Sequence, residues 1–327
     1  MSLIKNIAII GAGNLGIRHF QSIINSTIPI KIEIVDPSDK SLQLAKETLN
    51  KNEVNKKIKS INFHPSIDFL ENQLDLVIIS TSSDVRCQII KELLDKKKVN
   101  NIVLEKVLFQ TINAYFEIDK LLSKYNISCW VNHPRRMYPF YQKLKEKLDK
   151  SKKIHLDVQG GSWGLGCNSL HFIDLLSFLV NSNDIKLTSN FLDSKILDSK
   201  RKGFIEFNGL ISGKIDNHSF SLLSLESNLP LTISISSSDY KFIIDEVNGV
   251  YSLSEKKDNW KEKKYSEKIV YFQSELSEVF MCDILNNNKC DLPSFNDSMI
   301  LHIDFIKEII NFLDSIYNTK QNKCNIT

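Results

Sequence analysis

The chain has 327 residues, 42% hydrophobic and 25% charged, and a chain of this length and composition usually forms two globular domains. Its 42 basic and 39 acidic residues leave a formal net charge of only +3, which gives no electrostatic case for a nucleic acid or an anionic membrane as partner. Six cysteines without a CxxC pair are too few for a disulfide framework and indicate reduced thiols.

The N-terminal "MSLIKN" passes directly into a strand pattern, without the apolar stretch and cleavage site of a secretory signal. No apolar run approaches the roughly 20 residues that span a bilayer. We therefore expect a cytoplasmic enzyme or binding protein with reduced thiols.

Strand patterns alternate with helical patterns over the first third of the chain, which is typical of a parallel sheet with crossover helices. The predicted strands are residues 6–10, 31–35, 61–63, 74–80, 101–105 and 127–131. The predicted helices are residues 15–25, 40–49, 85–95 and 111–124.

The alternation ends near residue 132. Short alternating runs between residues 186 and 271 then indicate a largely antiparallel sheet. The other predicted elements are a strand at 153–161, helices at 138–148, 168–180, 274–285 and 295–317, and a polar tail at 318–327.

The stretch "IAIIGAGNLGIRHF" places three glycines, spaced G-x-G-x-x-G, between a predicted strand and a predicted helix. Gly11 permits a tight turn, Gly13 lets the backbone approach a pyrophosphate, and Gly16 lets helix and strand pack closely. The helix start at Asn14 and Leu15 supplies N–H groups and positive dipole to phosphates. The pattern predicts a dinucleotide site in a Rossmann domain, a doubly wound parallel sheet over residues 1–132.

An acidic residue follows at the expected distance from this loop. Asp36 lies twenty positions after Gly16, at the end of the second predicted strand. Its carboxylate would accept hydrogen bonds from the adenosine ribose and repel a 2′-phosphate, so NAD(H) is favoured over NADP(H).

Ligands bind beyond the carboxyl ends of the strands in such a sheet, and those ends read "STSSD", "EKV" and "NHPRR". Ser80 and Thr81 are predicted to contact the cofactor. Lys106 is expected to face the nicotinamide, and Glu105 to hold that ammonium or the cofactor ribose. A pair of solvated surface residues is the alternative.

Candidate substrate contacts follow in the chain. Asn132 ends a predicted strand, and Arg135 and Arg136 offer guanidinium forks that suit a carboxylate or phosphate, although at least one is expected to be an ion-pair partner. Trp163 lies between glycines and could stack on a sugar or belong to the core. Cys167, four residues before His171, is a further predicted substrate contact.

His171 is the candidate proton acceptor. Asn168 or Ser169 can cap its predicted helix, which would put His171 in the first turn, where the positive helix end favours neutral imidazole. The alternative is a packing histidine. Cys167 and His171 also have the spacing of two zinc ligands, but no third or fourth ligand is evident, so no metal is predicted.

These residues together resemble the Gfo/Idh/MocA oxidoreductases, the family of glucose-fructose oxidoreductase and myo-inositol dehydrogenase. The resemblance covers nearly the whole chain through the segments "GAGNLGIRH", "STSSD", "EKV", "RRMYPFYQKL", "GLGCNSLHFIDLLSFL" and "DLPSFNDSMILHIDFIKEI". It implies that Lys106 polarises a substrate hydroxyl and that His171 accepts or donates its proton.

The resemblance also implies an α+β domain over residues 133–327, which binds the substrate and carries a large open, mostly antiparallel sheet. That sheet often pairs subunits in the family, so a homodimer or homotetramer is expected. Family substrates are mostly sugars, cyclitols, amino sugars and nucleotide sugars.

The chain departs from the family pattern at three places. Val107 replaces the proline of E-K-P, and a non-proline residue rarely keeps a cis bond because that form costs about 2.5 to 4 kcal/mol. Cys167 replaces an aspartate often found four residues before the histidine and cannot supply its carboxylate. The usual threonine-proline turn and its following histidine are replaced by Thr81, Ser82 and Arg86.

Three hypotheses follow. The first is an NAD-dependent oxidoreductase that acts on a hydroxyl or keto group of a sugar-type substrate, by family analogy in surface-polysaccharide biosynthesis. The second is a catalytically weak or inactive dinucleotide-binding sensor, which Cys167 and Val107 favour and the retention of Lys106 and His171 opposes. The third is a scaffolding role through the open sheet, which is supported by the fold alone.

Overall fold

A computed structural model of the protein describes residues 3–327, which divide into two compact units. The first contains the described residues up to Phe109 together with Asn113–Pro134 and Tyr271–Phe295. The second contains Gln110–Ile112, Arg135–Val270 and Asn296–Thr327. A late segment of the chain is therefore part of the first unit.

The elements up to residue 131 are, in chain order, β1 (Lys5–Ile10), α1 (Asn14–Ile23), β2 (Ile30–Val35), α2 (Asp39–Asn50), β3 (Ile58–His64), β4 (Gln73–Leu74), β5 (Leu76–Ile79), α3 (Ser83–Lys96), β6 (Lys98–Val99), β7 (Asn101–Leu104), α4 (Ile112–Lys124) and β8 (Ser128–Val131). The later elements are α5 (Pro139–Leu148), β9 (Ile154–Gly161), α6 (Leu165–Val180), β10 (Ile185–Asp198), β11 (Ile205–Ile215), β12 (His218–Leu225), β13 (Thr232–Ser237), β14 (Tyr240–Asp245), β15 (Val250–Glu255), β16 (Lys263–Ser266), α7 (Gln273–Asn287) and α8 (Phe295–Tyr317).

The described residues of the first unit form a six-stranded sheet in the order β3-β2-β1-β5-β7-β8, with parallel pairing throughout. Its central strands β5 and β7 are buried along their whole length, which explains their continuous apolar sequence. Each strand of this sheet overlaps one of the strands predicted from the sequence, so the predicted Rossmann fold is confirmed.

The second unit contains an eight-stranded sheet among the described residues, in the order β10-β11-β12-β9-β13-β14-β15-β16. Strands β9 and β12 pair in parallel and the other pairs are antiparallel. Ile154, Leu156 and Val158 are buried on alternate positions of β9, so one face of that strand is apolar. The predicted α+β architecture with a mostly antiparallel sheet is confirmed.

The end of the chain departs from the prediction of a polar tail. Cys324 and Ile326 are fully buried. The Cys324 amide donates to the Gln110 carbonyl at 2.8 Å, and the Asn325 carbonyl accepts from the Ile205 amide at 2.9 Å. The tail prediction is wrong at these residues because two apolar side chains and paired backbone groups hold them in the second unit.

Among residues 3–327, none of the helices combines the length and the apolar character that a membrane span requires. Over the same residues, no group of three or more His, Cys, Asp or Glu side chains is arranged to hold a metal ion.

Candidate functional site

The glycine loop between β1 and α1 has no room for side chains at two of its glycines. Gly11 has a φ of +98°, a conformation that favours glycine. A Cβ added to Gly16 would lie 1.8 Å from the Gly11 carbonyl oxygen. The turn and the close packing predicted from the sequence are therefore built into the backbone.

Gly13 is different, because a Cβ added there would meet no atom within 4 Å. It is the N-cap of α1 and has no side chain that could cap the helix, and the first turn, which includes Asn14 and Leu15, contains no acidic residue. The Thr81 hydroxyl, after β5, is buried and has no hydrogen-bond partner in the described part of the chain. An open backbone beside uncapped N–H groups fits the pyrophosphate of a dinucleotide.

Asp36 is half-exposed at the end of β2, where its carboxylate accepts from the Ala12 amide at 2.7 Å and the Ser38 amide at 2.9 Å. On the opposite side of the loop, the Ser80 hydroxyl donates to the Gly11 carbonyl at 2.6 Å. The predicted cofactor contacts Asp36 and Ser80 are thus also the residues that hold the glycine loop.

Lys106 lies two residues after Leu104, the last residue of β7, and is half-buried. The Lys106–Val107 peptide bond is cis, so the expectation that valine would not keep a cis bond is wrong. The carbonyl groups around this bond are held in place: Arg86, only 1% exposed, donates to the carbonyls of Val107, Leu108 and Thr81.

Arg86 supports the strand ends of the first unit, a role that sequence reasoning did not predict, since it noted this residue only as a departure. A guanidinium can donate several hydrogen bonds in a fixed fork, and here it connects the turn after β5 to the turn after β7. The one signal in the sequence was a basic residue within a predicted helix close after a strand end.

Glu105 is buried within the first unit, where it forms hydrogen bonds with His19 Nε2 at 2.9 Å and with the Asn132 amide at 2.5 Å. Burial alone would raise the pKa of Glu105. The hydrogen bond and charge of His19, the hydrogen bond from Asn132 and the charge of Arg86 outweigh burial and lower that pKa below its ordinary value. The carboxylate is therefore ionised, and because it can only accept, His19 Nε2 carries the proton.

Helix α7 completes this buried network from a distant part of the sequence. The Ser277 hydroxyl lies 2.8 Å from His19 Nδ1, and the Asn132 amide also donates to Gln273 at 2.7 Å. No sequence pattern indicated that α7 packs at the strand end that precedes Lys106. Glu105 is a predicted cofactor contact and Asn132 a predicted substrate contact. In the structure both side chains form hydrogen bonds with other residues of the first unit.

In the second unit, α6 begins at Leu165 after Gly164, which has a φ of +79°. His171 therefore lies in the second turn of α6 and not, as predicted, in the first. Its side chain is half-buried. The prediction that Asn168 or Ser169 caps the helix is wrong, because the Asn168 amide donates back to the Trp163 carbonyl at 2.8 Å. The helix begins three residues earlier than predicted.

A carboxylate from β11 takes the capping role instead. Glu206 accepts from the Gly166 amide at 2.7 Å and from the Cys167 amide at 3.0 Å. Nothing in the local sequence of α6 indicated this partner, which lies about forty positions further along the chain.

Both predicted anion-binding arginines hold protein carboxylates. Arg135 binds Glu246 with two hydrogen bonds of 2.8 and 2.6 Å, and Arg136 binds Asp174 with two of 2.9 and 2.8 Å. Burial raises the pKa of Asp174 and outweighs the opposing effect of Arg136. The ion-pair role expected for at least one arginine thus applies to both.

Trp163 is half-buried against the second unit's own residues. Its indole N–H donates to the Leu223 carbonyl at 2.8 Å, and its ring meets Phe172 edge to face at 5.5 Å. These contacts fix the orientation of the ring.

Comparison with known proteins finds one family whose model matches the first part of the chain. Residues 5–133 match the GFO_IDH_MocA family, described as an oxidoreductase family with an NAD-binding Rossmann fold. No curated protein matches the chain.

Solved structures with 12 to 17% identity share its fold. A Gfo/Idh/MocA family oxidoreductase from Vibrio cholerae has 12% identity and a TM-score of 0.70, over 96% of this chain and 100% of that one. The UDP-N-acetylglucosamine 3-dehydrogenase GnnA from Acidithiobacillus ferrooxidans has 12% identity and a TM-score of 0.63, over 98% and 99%. The transcriptional regulator Gal80p from Kluyveromyces lactis has 17% identity and a TM-score of 0.72, over 96% and 91%.

The fold of the whole chain is thus shared with oxidoreductases and with a regulator. The family match covers the glycine loop, the turn after β5 and the strand end that carries Lys106. The resemblance seen in the sequence is confirmed, because residues 5–133 match the model of the Gfo/Idh/MocA oxidoreductase family.

Proposed function

We propose that the protein is an NAD-dependent oxidoreductase that acts on a CH–OH or C=O carbon of a sugar, amino sugar, cyclitol or nucleotide sugar. The observation that carries the proposal is Lys106, half-buried at the end of β7 in the same unit as an open glycine loop. Ligands of a parallel sheet bind beyond the carboxyl ends of its strands, and this lysine lies at such an end.

Bound NAD⁺ would supply the hydride acceptor. In the oxidation direction the carbinol carbon loses a hydride and its hydroxyl loses a proton. Lys106 donates a hydrogen bond to the substrate oxygen and stabilises the negative charge that develops on it. His171 accepts the proton, and returns it when the reaction runs as a reduction.

The preference for NAD(H) over NADP(H) rests on Asp36. Its half-exposed carboxylate lies at the end of β2, where a negative charge accepts hydrogen bonds from ribose hydroxyls and repels a phosphate. The structural relative GnnA, a UDP-N-acetylglucosamine 3-dehydrogenase, supports the inclusion of nucleotide sugars among the substrates to be screened.

The remaining expectations belong to the same proposal. Residues 1–132 would bind the nucleotide, and residues 133–327 would bind substrate and assemble a homodimer or homotetramer through the open sheet of β9–β16. The protein would work in the cytoplasm.

A second candidate is a dinucleotide-binding regulator without turnover. The similarity to Gal80p, a transcriptional regulator, and the cysteine at position 167 favour it. A regulator needs the glycine loop but neither Lys106 nor His171.

The test is turnover of NAD⁺ or NADH, followed by absorbance at 340 nm, with panels of sugars, amino sugars, cyclitols and UDP-sugars. For a substrate that reacts, Lys106→Ala and His171→Ala should each lower kcat by about a hundredfold or more, with unchanged NADH affinity. Lys98→Ala, an exposed lysine of the same unit, is the matched control. Full activity in both variants would contradict the roles of Lys106 and His171. Binding of NADH without turnover of any substrate in the panels would contradict the enzyme and favour the regulator.

A further inference from the structure

The first turn of α6 is anchored by a residue that lies on another element. The opening N–H groups of a helix have no partner within the helix, and no side chain of the N-cap residue Gly164 is available for them. Glu206 Oε2 accepts from Gly166 at 2.7 Å, and Oε1 accepts from Cys167 at 3.0 Å. One carboxylate thus binds two of these groups and places a negative charge at the positive end of the helix dipole.

The loop before the helix is shaped to admit this carboxylate. A Cβ on Gly166 would lie 2.9 Å from Glu206 Oε2, closer than real Cβ atoms approach other atoms. A Cβ on Gly164 would lie 3.3 Å from Oε1, and Gly164 has a positive φ of +79°. The glycines of "GLGC" therefore leave the space that Glu206 fills.

Glu206 is held in turn by the end of the chain. The amide of the preceding residue, Ile205, donates to the Asn325 carbonyl at 2.9 Å. Burial raises the pKa of neighbouring Cys324 to about 12, so this thiol is neutral and does not compete with the carboxylate as an anion.

We propose that Glu206 is a positioning residue for His171, which acts by fixing the first turn of α6 and supplying the anion that Cys167 does not. His171 lies on the following turn of the same rigid helix, so a change at the helix start shifts its imidazole. The inference rests on the proposed function, in which His171 moves the substrate proton.

The helix itself offers a way to separate this role from general support. Residue 167 is the third residue of α6, a position where an acidic side chain stabilises a helix start. Cys167→Asp should therefore return an anion to the same turn when Glu206 is absent. If Glu206 only stabilised β11, a negative charge placed on α6 would not restore activity.

The experiment compares Glu206→Ala, Glu206→Gln and the double variant Cys167→Asp/Glu206→Ala with the unaltered chain. Glu226→Ala, an exposed acid of the same unit, is the control. Glu206→Ala should lower kcat about tenfold or more, a size set by loss of charge-assisted hydrogen bonds, without change in NADH affinity. The double variant should recover most of that loss. If Glu206→Ala does not fold, Glu206→Gln and Cys167→Asp/Glu206→Gln replace it.

Hydrogen exchange of the Gly166 and Cys167 amides gives a readout that needs no substrate. Exchange should become about tenfold faster in Glu206→Ala and stay unchanged in Glu226→Ala. Unchanged exchange would overturn the positioning role, as would a kcat loss that Cys167→Asp does not recover. Faster exchange in a protein that turns over no substrate would support the anchor and reject the proposed function instead.

Discussion

Two glycine-containing turns of this chain lead into helices, and they treat the first N–H groups of those helices in opposite ways. Before α1, Gly13 faces open space and no acid lies in the first turn. Before α6, the Glu206 carboxylate binds the amides of Gly166 and Cys167.

The difference teaches that a glycine turn before a helix does not by itself make an anion site. What decides is whether a protein carboxylate already binds the N–H groups. The turn before α1 leaves open space beside the positive end of its helix, whereas the positive end of α6, the helix that carries His171, is bound by Glu206.

The largest expected effect is at Gly16, where Ala would place a Cβ 1.8 Å from the Gly11 carbonyl oxygen. Gly16→Ala should lower the free energy of unfolding by about 3 kcal/mol or more and abolish NADH binding. Gly13→Ala is the matched variant: it should fold as well as the unaltered chain in a urea titration, yet weaken NADH binding about tenfold or more, because its Cβ enters the open space. Equal binding by Gly13→Ala would mean that this space holds no ligand.

Next in size is Arg86, the buried cation that holds the turns after β5 and β7 in the first unit, as Glu206 holds the start of α6 in the second. Arg86→Ala leaves carbonyl groups of Thr81, Val107 and Leu108 without their donor, at about 1 to 3 kcal/mol each. We expect a loss of about 3 kcal/mol or more in urea unfolding. Arg18→Ala, at an exposed position of α1, should change stability by less than about 0.5 kcal/mol. A small effect at Arg86 would contradict its supporting role.

Glu105 gives a smaller effect that depends on pH. Its pKa is lower in the folded protein than in the unfolded chain, so its ionised form adds stability above the ordinary glutamate pKa, and this stability is lost as the pH falls through the folded pKa. Glu105→Gln should cost about 2 kcal/mol at pH 7, and the difference from the unaltered chain should shrink below about pH 4. Glu92→Gln, on the exposed side of α3, is the control. A difference that is constant with pH would exclude the ionised network.

The smallest change converts the first turn toward the second. Asn14→Asp places an acid at the start of α1, which should stabilise the helix by about 0.5 kcal/mol and weaken NADH binding about tenfold by repelling its phosphates. Thermal unfolding and fluorescence titration measure the two effects separately. Asn25→Asp, just beyond the other end of α1, should leave NADH affinity unchanged. Stronger binding by Asn14→Asp would contradict an anion site at this turn.

Much of the fold was predictable because its signals are local. The apolar runs of β5 and β7 and the glycine spacing before α1 each appear within a few residues, and α8 matches its predicted bounds of 295 and 317. The sheet of the first unit follows from them.

The unpredicted parts depend on partners that are distant in sequence. Asn168 is a residue type that often caps helices. Glu206 on β11 instead binds an amide in the first turn of α6, and the helix begins earlier. Gln273 on α7 binds Asn132, and the polar C-terminal segment is buried through Cys324 and Ile326. Sequence periodicity carries no information on such pairings.

The most direct test of the account is a fluorescence titration of the purified protein with NADH and, separately, with NADPH, repeated with Asp36→Asn. The account predicts that NADH binds well and NADPH poorly, and that Asp36→Asn reduces the difference because the variant removes the charge that repels a 2′-phosphate. Failure of both cofactors to bind would contradict the central claim that the turn before α1 is a dinucleotide site.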